Sequence, residues 1–216
     1  MAFNNVSLLT IKVEDGGFVY NEALQEYVHL RQGDADGACG AYCLFMALLV
    51  GNLIDRNIVL NLETVDGRTR IGRLVNALGS NGDFLICTGL GVEDIVRAVQ
   101  ESFRACIALD VRDARGGSDV HIILAEVINN GSPFLLALTF VGGDRHWVLV
   151  IGYEADCDGK IAKFLVLDPS CDPSKISPWN GIIDLRDPAG PLPYKYCTGH
   201  EVDKVAIGEV LVVNPN

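Results

Sequence analysis

Cys39 lies in the segment of the chain whose residue types point most directly to chemistry. A polar, glycine-bearing loop (residues 32–38) precedes it, and an unbroken apolar run (residues 44–50) follows shortly after it. This pattern predicts a buried helix over residues 39–50 with the thiol in its first turn. The first turn of a helix carries unpaired N–H groups and the positive end of the helix dipole, and both favour a thiolate. Cys39 is therefore predicted to be a nucleophile.

Two later residues are predicted to supply the partners that a thiol nucleophile needs. His146 heads an apolar run (residues 147–153). Asp168 ends the next apolar run (residues 163–168), so both side chains are predicted at the ends of strands. An imidazole can take the proton from a thiol, and a carboxylate can orient the imidazole and stabilise its charged form. The order Cys, His, Asp therefore predicts a catalytic triad.

Each candidate residue also has an ordinary structural interpretation. Buried cysteines are often inert, and a histidine can simply begin a strand. Asp168 stands before Pro169, and this pair commonly starts a turn. Gln32 precedes Cys39 by seven residues, and its amide, with the Cys39 backbone N–H, could donate to an oxyanion. Its alternative is a solvated loop residue.

The composition argues against several classes of partner. The 216 residues carry a formal net charge of −11 without a basic stripe, so no nucleic-acid partner is expected. The longest apolar run, residues 41–50, is too short to span a bilayer, which needs about 20 residues, so no membrane partner is expected. Residues 1–10 lack the pattern of a signal peptide. A cytoplasmic location is predicted, with the end of a larger, delivered protein as the alternative.

The seven cysteines are scattered and odd in number, which predicts reduced thiols. Cys39 and Cys43 are four residues apart, and no second pair has the spacing of a zinc finger. We therefore expect neither a metal nor a cofactor.

A single catalytic domain of the α+β class is predicted over residues 1–216. It comprises an N-terminal hairpin or extension (1–31), a helical part that carries the nucleophile (32–131), and an antiparallel β-sheet (132–216) on which the helical part packs. Helices are predicted at residues 39–50, 68–78, 92–104 and 120–129. Strands are predicted at residues 6–13, 18–20, 134–141, 147–153, 163–168, 182–185 and 205–213, with a turn at 14–17.

Several of these residues resemble the motifs of a known family. They are Gln32, residues 37–40, residues 146–148, residues 152–153 and residues 167–169. The family is the papain-like cysteine peptidases, in particular the bacterial branch that contains the bacteriocin-processing double-glycine peptidases. In that family the cysteine is the nucleophile, the histidine its base, the aspartate orients the histidine, and the glutamine helps to form the oxyanion hole. The glutamine here lies one residue further from the cysteine than is usual.

The resemblance implies a papain-like fold and a cysteine endopeptidase that cuts a protein or peptide through an acyl-thioester on Cys39. It also implies cutting after Gly-Gly, which would make Gly16-Gly17 a site of self-cleavage. Two glycines are, however, also what a tight hairpin turn requires. It further implies a toxin-type effector delivered into a rival cell, with a cognate inhibitor or immunity protein as partner.

Other functions remain open at the level of the sequence. Transglutaminases and glutamine deamidases use the same order of Cys, His and Asp and the same thioester chemistry, and a cell-wall amidase is a third such enzyme. The non-enzymatic alternative is a catalytically dead papain-like binding module. The presence of Cys39, His146 and Asp168 together favours an enzyme, because decay usually removes one member of a triad.

Overall fold

A computed structural model describes residues 5–9, 11–13, 19–21, 26–33, 37–79 and 89–216 of the chain. The described helices are α1 (Cys39–Val50), α2 (Arg56–Val59), α3 (Arg70–Gly79), α4 (Val92–Ser102) and α5 (Ser118–Asn129). The described strands are β1 (Asn5–Leu8), β2 (Ile11–Val13), β3 (Val19–Asn21), β4 (Glu26–Tyr27), β5 (Ile107–Asp113), β6 (Phe134–Thr139), β7 (Arg145–Ala155), β8 (Ile161–Leu167), β9 (Gly181–Asp184), β10 (Tyr194–Thr198) and β11 (Val202–Pro215). None of the described helices is both long and apolar enough to cross a bilayer.

The main feature of the fold is a closed antiparallel barrel of six strands. Its strands follow the order β7-β6-β11-β10-β9-β8, and β8 pairs with β7 again, which closes the ring. Strand β1 pairs with β7, and β5 pairs with β11 beyond the part of β11 that pairs with β10. Strands β2, β3 and β4 form a separate three-stranded sheet.

The predicted fold class, a helical N-terminal part packed on a C-terminal antiparallel sheet, is wrong. The later strands close into a barrel, and β5 lies between α4 and α5, inside the segment predicted to be helical. Periodicity identifies a strand but not its pairing partners, so closure was not visible in the pattern. Strand β5 does carry a strand pattern, because Ile107, Leu109 and Val111 alternate with other residues.

Most of the predicted helices and strands are present with shifted ends. Helix α1 spans the predicted residues 39–50, whereas β10 and β5 were not predicted. The strand predicted at residues 6–13 is divided, since β1 joins the barrel sheet and β2 pairs with β3. The predicted turn at residues 14–17, which contains Gly16-Gly17, lies outside the described residues.

Helix α1 is the element that carries Cys39 into the protein. Ten of its 12 residues are buried, and it packs against β7 and β6. A helix that is apolar on all sides needs such an enclosed position. A Cβ atom on Gly40 would lie 3.1 Å from the Trp147 ring, so glycine permits the close approach of α1 to β7. This contact places the first residue of α1 beside the start of β7.

Candidate active site

The predicted triad residues come from three neighbouring elements. Cys39 is the first residue of α1, His146 is the second residue of β7, and Asp168 directly follows β8. Strands β7 and β8 are antiparallel, with Leu149 opposite Leu167, so the start of β7 lies next to the end of β8. The fold therefore brings together side chains that are far apart in sequence, since more than 100 residues separate Cys39 from His146.

A continuous chain of contacts joins the three side chains. His146 Nε2 lies 2.7 Å from Asp168 Oδ1, and the Asp168 side chain is only 2% exposed. His146 and the Cys39 thiol are also close enough for a side-chain interaction that lowers the pKa of the thiol and raises that of the imidazole. Because Nε2 is held by the carboxylate, Nδ1 is the ring nitrogen left for the sulfur. The arrangement is that of a nucleophile, its base and the group that orients the base.

The electrostatics favour an ion pair between Cys39 and His146. Burial raises the pKa of the Cys39 thiol, but the hydrogen bond and charge of His146 and the backbone N–H groups of Trp147 and Gly40 outweigh it, so the net pKa is lowered. Burial lowers the pKa of His146, but Asp168 and Cys39 together raise it to about 10. The pKa of Asp168 stays below its usual range, mainly because His146 offsets the effect of burial. These shifts favour a thiolate–imidazolium pair, with Asp168 as a carboxylate, over a neutral thiol beside a neutral imidazole.

The backbone of Trp147 contacts both cysteines of α1. Its N–H donates to Cys39 Sγ at 3.4 Å, and its carbonyl oxygen accepts from Cys43 Sγ at 3.3 Å. The Trp147 indole N–H donates to the carbonyl oxygen of Leu90 at 2.8 Å. Burial raises the pKa of Cys43 well above its usual value, so Cys43 stays a neutral thiol. The two cysteines, one turn apart, thus have opposite chemical character.

Replacing Cys43 by alanine should lower stability without removing activity. Its side chain is fully buried and donates to the Trp147 carbonyl, so we expect a loss of about 1–2 kcal/mol in the free energy of unfolding. Urea unfolding and turnover, measured on the same preparation, check this. The matched control is Cys157→Ala, at an exposed cysteine, which should change neither quantity. A stable but inactive Cys43 variant would contradict the assignment of Cys39 as nucleophile.

The carboxylate of Asp168 is held by donors that the sequence analysis did not identify. Its Oδ1 accepts from the Ser170 backbone N–H (2.8 Å) and hydroxyl (2.6 Å). Its Oδ2 accepts from the Tyr196 hydroxyl and, at 3.6 Å, from Cys171 Sγ. The hydrogen bond from the Ser170 backbone N–H belongs to the turn that an Asp-Pro pair commonly starts. Asp168 therefore forms this turn and contacts His146 at the same time. Tyr196 lies on the unpredicted strand β10 and had no signal in the sequence.

The backbone of Asp168 is fixed as well. Its N–H donates to Asn180 Oδ1 at 2.7 Å, and its carbonyl oxygen accepts from Asn180 Nδ2 at 2.9 Å. His29 Nε2 lies 3.0 Å from the same carbonyl oxygen. Burial lowers the pKa of His29, so it acts here as a neutral donor. His29 therefore helps to fix the backbone at Asp168.

Gln32 lies beside the loop that follows β8. Its backbone N–H donates to the carbonyl oxygen of Pro169 at 2.8 Å. The Arg31 guanidinium donates to the Gln32 carbonyl oxygen at 2.9 Å and to Asp172 Oδ1 at 2.7 Å. The side-chain oxygen of Gln32 is buried. The structure thus brings Gln32 to the residue after the triad aspartate, and its role in an oxyanion hole stays a prediction.

Within the described part of the chain, no group of three or more His, Cys, Asp and Glu side chains is arranged to hold a metal ion. A scan against protein-family models finds no family that matches the chain, and a search of curated proteins finds no match either. Cys39, His146 and Asp168 are therefore the residues from which a function is inferred.

Proposed function

We propose that the protein is a cysteine endopeptidase that cuts a peptide bond through an acyl-thioester on Cys39. The observation that carries the proposal is the chain of contacts from the Cys39 thiol through His146 to the buried Asp168 carboxylate. A structural cysteine in a core has a raised pKa, as Cys43 does, whereas the pKa of Cys39 is lowered. This difference supports a nucleophile rather than a packing role.

In the first half of the proposed reaction, the Cys39 thiolate attacks the carbonyl carbon of the scissile bond. The carbonyl oxygen takes up the negative charge, and the Cys39 backbone N–H and the Gln32 amide are its proposed donors. The C–N bond then breaks while His146 gives its proton to the leaving amine. An acyl-thioester and a neutral imidazole result.

In the second half, a water molecule hydrolyses the thioester. His146 removes a proton from the water, whose oxygen attacks the thioester carbonyl, and Cys39 departs as a thiolate. The carboxylic acid product leaves, and the thiolate–imidazolium pair is restored. Asp168 stays ionised throughout and keeps the imidazole in the correct orientation.

The proposal is tested by labelling protein N-termini in a cell lysate incubated with wild-type protein or with the Cys39→Ala variant. New N-termini that appear only with the wild type support a peptidase. Glutamine-to-glutamate conversion or Gln–Lys cross-links without new N-termini would replace it by a deamidase or a transglutaminase. If the two samples do not differ, a catalytic role for Cys39 is wrong. Delivery into another cell, a cognate inhibitor and cutting after Gly-Gly stay predictions from the resemblance.

Replacing Asp168 by asparagine should lower kcat/KM by roughly 10³–10⁴-fold, because an amide cannot stabilise the imidazolium. It should also change the pH profile. Activity needs protonated His146 and is lost as pH rises through its pKa of about 10. Without the carboxylate that pKa falls, so the alkaline limit of activity should move to lower pH. Asp184→Asn is the control, because Asp184 pairs with Arg186 away from the triad. An unchanged alkaline limit would contradict the role given to Asp168.

A further inference from the structure

A cavity of about 330 Å³ opens beside the histidine and aspartate of the site. His146 and Asp168 both line it, whereas Cys39 does not. Its volume is at the lower end of the range for ligand pockets, about 300–1,000 Å³, which suits one long side chain better than a large ligand. We name it the leaving-group cavity.

The proposed reaction determines which part of a substrate this cavity can receive. The acyl part of the substrate stays bonded to Cys39, whereas the leaving amine must come within hydrogen-bond reach of His146 to take its proton. The cavity is lined by the proton donor His146 and not by Cys39, to which the acyl part is bonded, and this favours the leaving segment as its occupant. The residues just after the cut are the ones that can enter it.

The lining of the leaving-group cavity is acidic and aromatic. Glu201 and Asp203 are among its described lining residues, which include His146 and His200 but no Lys or Arg. In the described part of the chain, neither the Glu201 nor the Asp203 carboxylate has an ion-pair partner. Two such carboxylates beside a proposed catalytic site favour a cationic side chain in the substrate.

The strand pairing places one of these carboxylates, that of Asp203, beside a residue that contacts the proposed triad. Tyr196 on β10 is directly opposite Asp203 on β11, so the two side chains lie on the same face of the sheet. The Tyr196 hydroxyl donates to Asp168, and the Tyr196 and Phe140 rings meet edge to face with their centroids 6.1 Å apart. Aromatic faces add to the attraction of a cation. The position of Asp203 relative to the reacting groups is therefore set by the barrel.

We propose that the leaving-group cavity binds a lysine or arginine side chain from one of the first two residues after the cut. Glu201 and Asp203 are its specificity-determining residues. This inference rests on the proposed peptidase function, and it concerns the leaving segment only. It is independent of any preference for Gly-Gly before the cut.

The test uses a peptide library made by cutting a denatured lysate at glutamate, which leaves lysine and arginine inside the peptides. Wild-type protein, Cys39→Ala and the double variant Glu201→Gln/Asp203→Asn are incubated with it, and the new N-termini are sequenced. The wild type should enrich Lys and Arg in the first two positions about fivefold, as expected for two partly solvated ion pairs. The double variant should lose this enrichment and still cut peptides that have alanine there.

Two further variants distinguish the effect of the carboxylates in the cavity from a general effect of the charge of the protein. Glu201→Lys, at an exposed position, should shift the preference toward Asp, which the library keeps inside its peptides. Glu101→Gln with Glu126→Gln removes two exposed carboxylates from α4 and α5 outside the cavity and should keep the wild-type preference.

The outcomes distinguish this inference from the proposed function. If the wild type cuts without a preference for Lys or Arg, or the double variant keeps it, the inference is wrong and the peptidase proposal stands. A double variant that cuts no peptide is decided by Glu201→Lys, where an unchanged preference overturns the inference. If the wild type produces no more new N-termini than Cys39→Ala, both the inference and the peptidase proposal fail.

Discussion

The Cys39→Ala variant should have no measurable turnover and an unchanged fold. Loss of a nucleophile in a comparable triad costs roughly 10⁶-fold in kcat, and alanine adds no bulk beside Trp147 or Gly40. Turnover is measured on a peptide found by N-terminal sequencing, and folding by the urea midpoint. Cys157→Ala, at an exposed cysteine, is the matched control and should keep full activity. Residual turnover near the wild-type rate in Cys39→Ala would remove Cys39 from the mechanism.

The His146→Ala variant should be nearly as inactive, with a loss of roughly 10⁵–10⁶-fold. It also removes the hydrogen bond and the charge that lower the pKa of Cys39 against the effect of burial. The thiolate fraction at neutral pH should therefore fall, and with it the rate at which iodoacetamide alkylates Cys39, by roughly tenfold or more. The alkylation rate at pH 7 measures this, with the modified cysteine identified by mass spectrometry.

The control for His146 is His200→Ala. His200 is exposed and lines the same cavity as His146, but none of the described hydrogen bonds joins its side chain to Cys39 or Asp168. It should leave the alkylation rate of Cys39 unchanged. Equal alkylation rates in wild type and His146→Ala over the whole pH range would show that the imidazole does not control the thiol.

The positions of Cys39, His146 and Asp168 at the ends of their elements were predictable because the signals are local. A cysteine before a long apolar run, a histidine at the head of a strand and an aspartate at the end of the next one each mark the end of an element. Antiparallel pairing of β7 with β8 then brings His146 and Asp168 together, since the two strands are consecutive along the chain. The site thus depends on the parts of the fold that short-range patterns describe best.

The residues that hold Asp168 in place were not predictable, because their contacts with Asp168 depend on closure of the barrel. Asn180 and Tyr196 lie 12 and 28 residues beyond Asp168 and reach it only because β8, β9 and β10 pair side by side. No motif marks either residue, and β10 is only five residues long. The error in fold class has the same origin, since periodicity does not say which strands pair.

Helix α1 shows why the position of the thiol was predictable while its chemistry needed the structure. The sequence predicts its burial from the unbroken apolar run, and ten of its residues are buried. The opposite pKa shifts of Cys39 and Cys43 arise from their neighbours, since only Cys39 reaches His146. Spacing along the helix alone could not assign those neighbours.

The most direct test of the central claim is a pH titration of the Cys39 thiolate. Its ultraviolet absorbance is followed in wild-type protein, with the Cys39→Ala variant subtracted to remove the other thiols. We expect Cys39 to ionise with a midpoint below the value of about 8.5 for a free thiol, and we expect His146→Ala to raise this midpoint. A midpoint at or above that of a free thiol in the wild type, unchanged in His146→Ala, would contradict the thiolate–imidazolium pair and the mechanism built on it.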